Sequence, residues 1–402
     1  MLIAIDGNEA NVKNRVGSNV YAYKILCHIY NNNNNNLPAR NAFSIADAGG
    51  EFKIYLKQEP LSDLPRETDW WQYKVLKPRF LWTQWRLPLE LYLTKNRPDV
   101  FFTPGHYAPR FCPVPFVISI MDLAFLRYPD QFKKNDLYQL VNWTKYSVSK
   151  AQHIFTISEF TKKEIVNFYH YPEERITVTY PGINEFRIQN SEFRIIFERL
   201  KTKYGLIKEK YLLYIGTLQP RKNLVKLIEA FKKLFIHYPC LAGRQALPIT
   251  HLVICGKKGW LYDDIFTKVK ELGLENKVIF TGFISEEEKY VLLKNALAFI
   301  LPSLYEGFGI PVLEALQVGC SAIVSKNSSL TEVVGDIATY IDDPNSIDSI
   351  YQAMLKMVKL DSNKRKELIE KGLKQVKKFS WQKAARQTLA VLNRIGGENV
   401  LF

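Results

Sequence analysis

Cysteine is scarce in this sequence. Among 402 residues there are five (Cys27, Cys112, Cys240, Cys255 and Cys320), odd in number, scattered and without CxxC spacing. Neither a disulfide framework nor a zinc site is indicated, and a reducing compartment is expected. No apolar run approaches the ~20 residues that would span a bilayer. The opening Met1-Leu2-Ile3-Ala4-Ile5-Asp6 reads as a strand and lacks the basic start and apolar centre of a signal peptide. A cytoplasmic protein is expected, at most peripheral on the inner membrane face. Charged residues make up 24% of the chain and hydrophobic ones 47%, which excludes wholesale disorder. At roughly 150 residues per domain the length suits two to three domains, so a single small binding module is excluded.

Acidic residues are the scarcer charge, 40 against 55 basic ones, leaving a net +15. Such an excess suits a polyanionic partner: nucleic acid, an anionic membrane or a phosphorylated substrate. Its location matters more than its size. Up to Glu185 there are 22 basic and 18 acidic residues, and from Phe186 onward 33 and 22. Much of the surplus lies between Lys356 and Lys378, where Lys364, Arg365, Lys366, Lys371, Lys374, Lys377 and Lys378 punctuate a helical-looking stretch that reads as a solvated face. Nucleic-acid binding would rest on charge alone, with no recognition motif beside it, and is not expected.

Short apolar runs ending in Gly, Pro, Ser or Asp alternate with helical periodicity along the whole chain. That is the pattern of an α/β protein with parallel sheets covered on both faces. The first half predicts strands at Leu2–Asp6, Phe52–Leu56, Tyr73–Leu76, Asp99–Thr103, Phe116–Met121, His153–Ile157 and Ile176–Tyr180. A second series follows at Tyr211–Ile215, His251–Cys255, Val278–Thr281, Ala298–Leu301, Ala322–Ser325 and Thr339–Ile341. Two doubly wound domains fit better than one large sheet, over residues 1–185 and 186–380, with a helix and tail over 381–402. Ser191–Tyr204 reads as a connecting helix. Asn31–Asn36 and the run to Gly50 read as a surface loop, and Leu241–Thr250 as a second insertion.

Two segments carry chemistry. Pro302-Ser303-Leu304-Tyr305-Glu306-Gly307-Phe308-Gly309-Ile310-Pro311-Val312-Leu313-Glu314-Ala315 leaves a strand, turns through two glycines and enters a helix with Pro311 in its first turn. Such a turn offers backbone N–H groups and the positive end of a helix dipole to an anion. Glu306 and Glu314 flank that position. Carboxylates are poor phosphate ligands but good acceptors for sugar hydroxyls, so the arrangement suits a sugar joined to phosphate. The second segment, Tyr214-Ile215-Gly216-Thr217-Leu218-Gln219-Pro220-Arg221-Lys222-Asn223, is another strand-to-helix turn that delivers two adjacent cations.

Together these segments closely resemble the retaining glycosyltransferases of family 4 (glycosyl transferases group 1). Glu306 to Glu314 has the spacing of that family's E-x7-E motif, and Gly216 to Asn223 is similar to its G-x-x-x-P-R-K-N turn. The resemblance continues in Phe155-Thr156-Ile157-Ser158-Glu159-Phe160-Thr161, in Ile254-Cys255-Gly256-Lys257-Lys258-Gly259-Trp260, in Phe280-Thr281-Gly282-Phe283-Ile284-Ser285 and in Phe379-Ser380-Trp381. It implies the GT-B fold, two facing Rossmann-like domains with a cleft between them. It also implies transfer of a hexosyl group, mannose favoured, from a nucleotide-diphosphate sugar to a saccharide or lipid-linked acceptor, with GDP-mannose the first donor expected and no obligatory metal or cofactor.

By the same resemblance Lys222, assisted by Arg221, would bind the donor diphosphate. Glu306 and the backbone of Phe308, Gly309 and Ile310 would hold the transferred sugar and the distal phosphate. Glu314 would take the ribose hydroxyls, and Gly282, Phe283 and Ile284 the base. In the first domain the loop Arg15-Val16-Gly17-Ser18 would approach phosphate or acceptor, and Asp122 would lie at the cleft. Three positions depart from the pattern. Thr217 stands where many members have Arg, Gly17 lacks an adjacent second glycine, and Met121 precedes Asp122 where a His is common. His106, ending a neighbouring strand, could serve the same place. An epimerase or hydrolase on this architecture, or a non-catalytic sensor of sugar nucleotides, are the rival readings. A glycosidase pair is rejected because it leaves Lys222 and the anion-ready turns without purpose. Trp70, Trp71, Trp82, Trp85 and Arg86 form an aromatic, basic segment of the kind that touches membranes, with Trp82–Leu93 read first as a core-packing helix.

Overall fold

The computed structural model describes residues 1–33, 50–184, 188–241 and 249–398. All thirteen expected strands are present: β1 (Leu2–Asp6), β2 (Glu51–Leu56), β3 (Trp71–Val75), β4 (Val100–Thr103), β5 (Phe116–Ile120), β6 (His153–Thr156), β7 (Ile176–Val178), β8 (Tyr211–Ile215), β9 (His251–Cys255), β10 (Val278–Gly282), β11 (Ala298–Leu301), β12 (Ala322–Ser325) and β13 (Thr339–Ile341). They form two sheets, ordered β3-β2-β1-β4-β5-β6-β7 and β10-β9-β8-β11-β12-β13, and every pairing within them is parallel. Central strands such as β1, β5 and β11 are buried along their whole length. That is why they read as unbroken apolar runs, since helices cover both faces of a parallel sheet.

In each sheet the chain lays three strands outward from β1 or β8, then returns to the other side of that first strand. The order therefore reverses between β1 and β4, and between β8 and β11. Loops leaving the carboxyl ends of those strand pairs diverge and open a crevice, the usual ligand position in open α/β sheets. Two Rossmann-like units result. One comprises Met1–Pro129, Lys133–Gly182 and the segment from Phe379 on, and the other Ile183–Lys378 with the short Asp130–Phe132.

The Trp381–Glu398 helix belongs to the first unit, where it packs along the Ser18–Asn33 helix. Tyr21 and Trp381 meet edge to face at 6.1 Å between ring centroids, and Ala384, Ala385, Leu389 and Leu392 are buried. Each fully buried leucine is worth about 1.5–3 kcal/mol relative to exposure. Gly182 lets the chain pass, because a Cβ there would lie 2.1 Å from the Trp381 backbone nitrogen.

Several local expectations are corrected. Asn31–Asn33 are the last turn of the Ser18–Asn33 helix rather than loop, and Leu241 ends the Leu224–Leu241 helix. Residues 34–49 and 242–248, most of the two expected loops, and the last four of the tail lie outside the described residues. The basic stretch is broken at Lys359–Asp361 into helices Ile347–Val358 and Ser362–Gln375, because Asp361 caps the second through the N–H groups of Asn363 and Lys364. Lys364 and Lys371 lie on a solvated face and share Glu367, whereas Arg365 turns inward to the carbonyls of Leu297 and Met357. Trp82–Leu93 is not a uniformly core-packing helix. A π-helical turn, Trp82–Arg86, leads into Leu87–Leu93, and only Trp82, Leu87 and Leu91 among its large apolar side chains are buried.

Candidate active site

The loops at the second switch point are tied together before any side chain is considered. Gly216 N–H donates to the Cys255 carbonyl at 2.9 Å and Gly256 N–H to the Gly282 carbonyl at 2.8 Å, joining the ends of β8, β9 and β10. Gly256 has φ 145°, and a Cβ there would stand 1.9 Å from the Gly216 oxygen. Beyond Gly216 the chain makes one 3-10 turn, Pro220–Lys222, and stops at Asn223 in the left-handed region, φ 60°. Asparagine tolerates that conformation, and its amide nitrogen donates to the carbonyls of Pro302 (3.1 Å) and Pro344 (2.6 Å). Arg221 locks onto the same loop through Leu304 N–H to its carbonyl (2.9 Å) and its own Nη1 to the Tyr305 oxygen (3.0 Å).

This brackets Glu306. Lys222 Nζ is 2.5 Å from one carboxylate oxygen and Arg221 Nη1 3.7 Å from the other, while Ser303 Oγ donates to the first at 2.6 Å. Ser328 Oγ accepts from Glu306 N–H at 3.0 Å and Ser329 Oγ donates to its carbonyl at 2.8 Å. Burial opposes the Glu306 charge, but Lys222 and Arg221 outweigh it and hold the carboxyl below its ordinary value. Burial, reinforced by Glu306, raises the Tyr214 phenol well above its ordinary value. Two cations thus face one carboxylate beside the start of the Ile310–Gln317 helix, which begins at Gly309 (φ 95°) with no side-chain cap. A Cβ at Gly309 would lie 2.8 Å from the Leu330 side chain. The cluster brings two cations and a helix N-terminus to one place, a site suited to an anion.

Glu314, inside that helix, makes a separate cluster. Lys289 Nζ is 2.7 Å from it and 2.7 Å from Glu286, and Asn184 Nδ2 donates to Glu314 at 3.3 Å. Burial raises the Glu314 carboxyl, with Lys289 offsetting only part. Burial also works against the Lys289 charge, yet Glu314 and Glu286 together raise its pKa. Lys289→Met should therefore lower stability by about 3–5 kcal/mol at neutral pH, the loss growing with pH, because a buried carboxylate is left without its cation. Urea unfolding at several pH values checks this. A loss under ~1 kcal/mol, no more than an exposed pair is worth, would show the pair to be weak.

Other expected positions differ in character. Phe308 is buried and Ile310 is half-buried. The Gly282 (φ 74°), Phe283, Ile284 turn has an exposed Phe283 and runs into a capping box between Ser285 and Glu288. The Thr217 carbonyl accepts the Tyr214 hydroxyl at 3.3 Å.

In the first unit, His106 and Asp122 are brought near each other at the ends of β4 and β5. His106 Nε2 accepts the Met121 N–H at 3.1 Å, which puts the ring proton on Nδ1, a buried atom with no hydrogen-bond partner among the described residues. Burial lowers the His106 pKa against the pull of Asp122, keeping the imidazole neutral. Asp122 Oδ1 accepts from Ala124 N–H at 3.0 Å. Gly17 has φ 53° with open space about it. Arg15 is already engaged, with both Nη atoms on Asp63, Nε on the Ala10 carbonyl, and its guanidinium 3.9 Å from the Tyr23 ring centroid.

Sequence reasoning missed Ser303, Asn327, whose amide donates to the carbonyls of Ser303 (3.2 Å) and Leu304 (2.9 Å), Ser328 and Ser329. Their signal was position, because the last three follow the carboxyl end of β12. Lys289 gave no such signal, since Glu286-Glu287-Glu288-Lys289 reads as a solvated helix start.

Residues 49–187 match the model of Glycosyltransferase Family 4, and residues 197–375 that of Glycosyl transferases group 1. The chain is 32% identical over 274 residues, 68% of each chain, to O-antigen chain mannosyltransferase B of Escherichia coli. It is 29% identical over 58% of each chain to O-antigen chain mannosyltransferase RfbU of Salmonella typhimurium. Among solved structures it resembles HepE of Anabaena in complex with UDP-glucose, with a TM-score of 0.70 at 15% identity over 98% of this chain and 99% of that one. That likeness shows the shared GT-B class of fold.

Proposed function

Because the chain belongs to the family 4 glycosyltransferases, we propose that it moves a mannosyl group, from GDP-mannose in the first instance, to a saccharide or lipid-linked hydroxyl in polysaccharide assembly, with retention of configuration. The observation that carries the donor site is the convergence of Lys222, Arg221, Glu306 and the uncapped helix start at Gly309. The sugar is favoured by the mannosyltransferases the chain is similar to.

In this reading the acceptor hydroxyl attacks the anomeric carbon on the face from which the diphosphate departs. The carbon–oxygen bond to phosphate breaks as the new one forms, and the hydroxyl proton passes to the leaving phosphate oxygen. Negative charge grows on that phosphate, and Lys222, Arg221 and the first N–H groups of the helix meet it with little rearrangement. One such preorganised donor is worth about 2.7–4 kcal/mol of barrier. Glu306 accepts from a sugar hydroxyl, and Glu314 from the ribose.

Thermal shift with a panel of nucleotide sugars tests this. GDP-mannose at 100 times its Kd should stabilise the protein by about 2.7 kcal/mol, and Lys222→Ala should lose the shift. No shift with any nucleotide sugar would sink the donor site, and a shift retained in the variant would sink the role of Lys222. The anomeric configuration of the product, read by NMR, decides retention.

A further inference from the structure

Fifteen large apolar side chains are exposed among the described residues, and six of them lie between Phe80 and Leu93. Phe80 is 77% exposed, Trp85 74% and Leu93 72%, with Leu81, Leu89 and Tyr92 close to half. Trp85, Leu89, Tyr92 and Leu93 recur at i, i+4, i+7 and i+8, one stripe of the helical stretch, while Trp82, Leu87 and Leu91 on the opposite side are buried. The element is thus apolar on both faces, one packed on the unit and one turned outward. It is also held firmly. Arg86 Nε donates to the Lys77 carbonyl at 2.8 Å, Arg79 Nε to the Lys57 carbonyl at 3.1 Å, and Lys57 lies 5.4 Å from the Trp82 ring centroid.

The surroundings are basic. Lys77, Arg79, Lys95 and Arg97 are exposed at the two ends of the strip. The one acidic residue between them, Glu90, is buried beneath and engaged by Lys74 and Arg86. Contiguous apolar surface of this kind is costly in water and marks an interaction site. Nucleic acid would use the cations but not Leu89 or Leu93. A second copy docking by two-fold symmetry would press like charges together at both ends of the strip. An anionic bilayer satisfies both features, as aromatic and leucine side chains enter the headgroup boundary and each flanking cation contributes about 1 kcal/mol against lipid phosphate.

We propose that this strip is a membrane-docking surface. Phe80, Leu81, Trp85, Leu89, Tyr92 and Leu93 enter the interface of an anionic bilayer, and Lys77, Arg79, Lys95 and Arg97 lie on its phosphates. No helix among the described residues is long and apolar enough to cross a membrane, and none is needed for a surface of this design. The inference does not depend on the transferase reading.

Co-sedimentation of the full chain with phosphatidylglycerol-rich and with pure phosphatidylcholine vesicles tests it. Binding is expected to the first and to be at least ~tenfold weaker on the second. Phe80→Ser with Trp85→Ser should weaken anionic-vesicle binding at least ~tenfold, with unchanged melting because both side chains are exposed. A second variant, Lys77→Gln with Arg79→Gln, Lys95→Gln and Arg97→Gln, removes only charge and should weaken it as strongly. Absence of vesicle binding, equal binding by wild type and both variants, or a wild-type dimer in light scattering that Trp85→Ser disperses would each overturn the proposal.

Discussion

Lys222→Ala is expected to lower kcat/KM for sugar transfer by about 10²- to 10³-fold, the loss that follows removal of one preorganised donor to a developing oxyanion. It should also lower stability by about 3–5 kcal/mol, since it strips the nearer cation from a buried carboxylate. Arg221, at 3.7 Å from the other oxygen, covers only part of the deficit. The pH dependence carries a sign that separates this from general damage. In the wild type the Glu306 pKa is depressed, so its contribution to stability is full above the ordinary glutamate range and is lost as pH falls through the folded value. In the variant burial dominates and raises that pKa, so the destabilisation should shrink as pH falls toward 5. Urea midpoints between about pH 5 and 8 read this directly. Parallel curves for the two proteins would show that Lys222 and Glu306 do not depend on one another.

Gly256→Ala should be the most destructive small change in the second unit, costing about 4 kcal/mol or more and abolishing donor-induced stabilisation. The added carbon would stand 1.9 Å from the Gly216 carbonyl, on a backbone at φ 145°. Relief requires moving the very turn that carries Arg221 and Lys222. Gly273→Ala is the control, since it has positive φ (61°) but nothing within 4 Å of the added carbon. It should cost about 1–2 kcal/mol from conformation alone and leave donor binding intact. Similar effects at the two positions would mean that the contact with Gly216 carries no weight.

The strands were legible because burial on both faces of a parallel sheet forces contiguous apolar runs, and their loops were legible because glycine and proline punctuate them. Lys222 and Glu306 are 84 residues apart in sequence, yet they could be anticipated as partners, since the strands they follow, β8 and β11, are neighbours at the point where the order reverses. What could not be read was burial on helices. Lys289 sits in a run of glutamates that looks wholly solvated, and only the packing of its helix places it against Glu314. Trp85 and Trp82 likewise share a residue type and a segment, but one is exposed and the other buried, because a π-helical turn alters the phase between them. Periodicity assumed at 3.6 residues could not show that break.

The first unit is built from separated stretches of the chain, with the segment from Phe379 onward closing it. During synthesis this imposes a delay. At 5–20 residues per second, the roughly 200 residues of Ile183–Lys378 take about 10–40 s to emerge after Gly182. Throughout that interval Tyr21 and its neighbours on the Ser18–Asn33 helix have no Trp381 to cover them, and Gly182 has no strand of backbone against it. The nascent first unit therefore waits, partly apolar and open, while its neighbour is made. The order in which the ribosome delivers the chain makes the Ser18–Asn33 helix, though made before Gly182, among the last elements to reach its final packing.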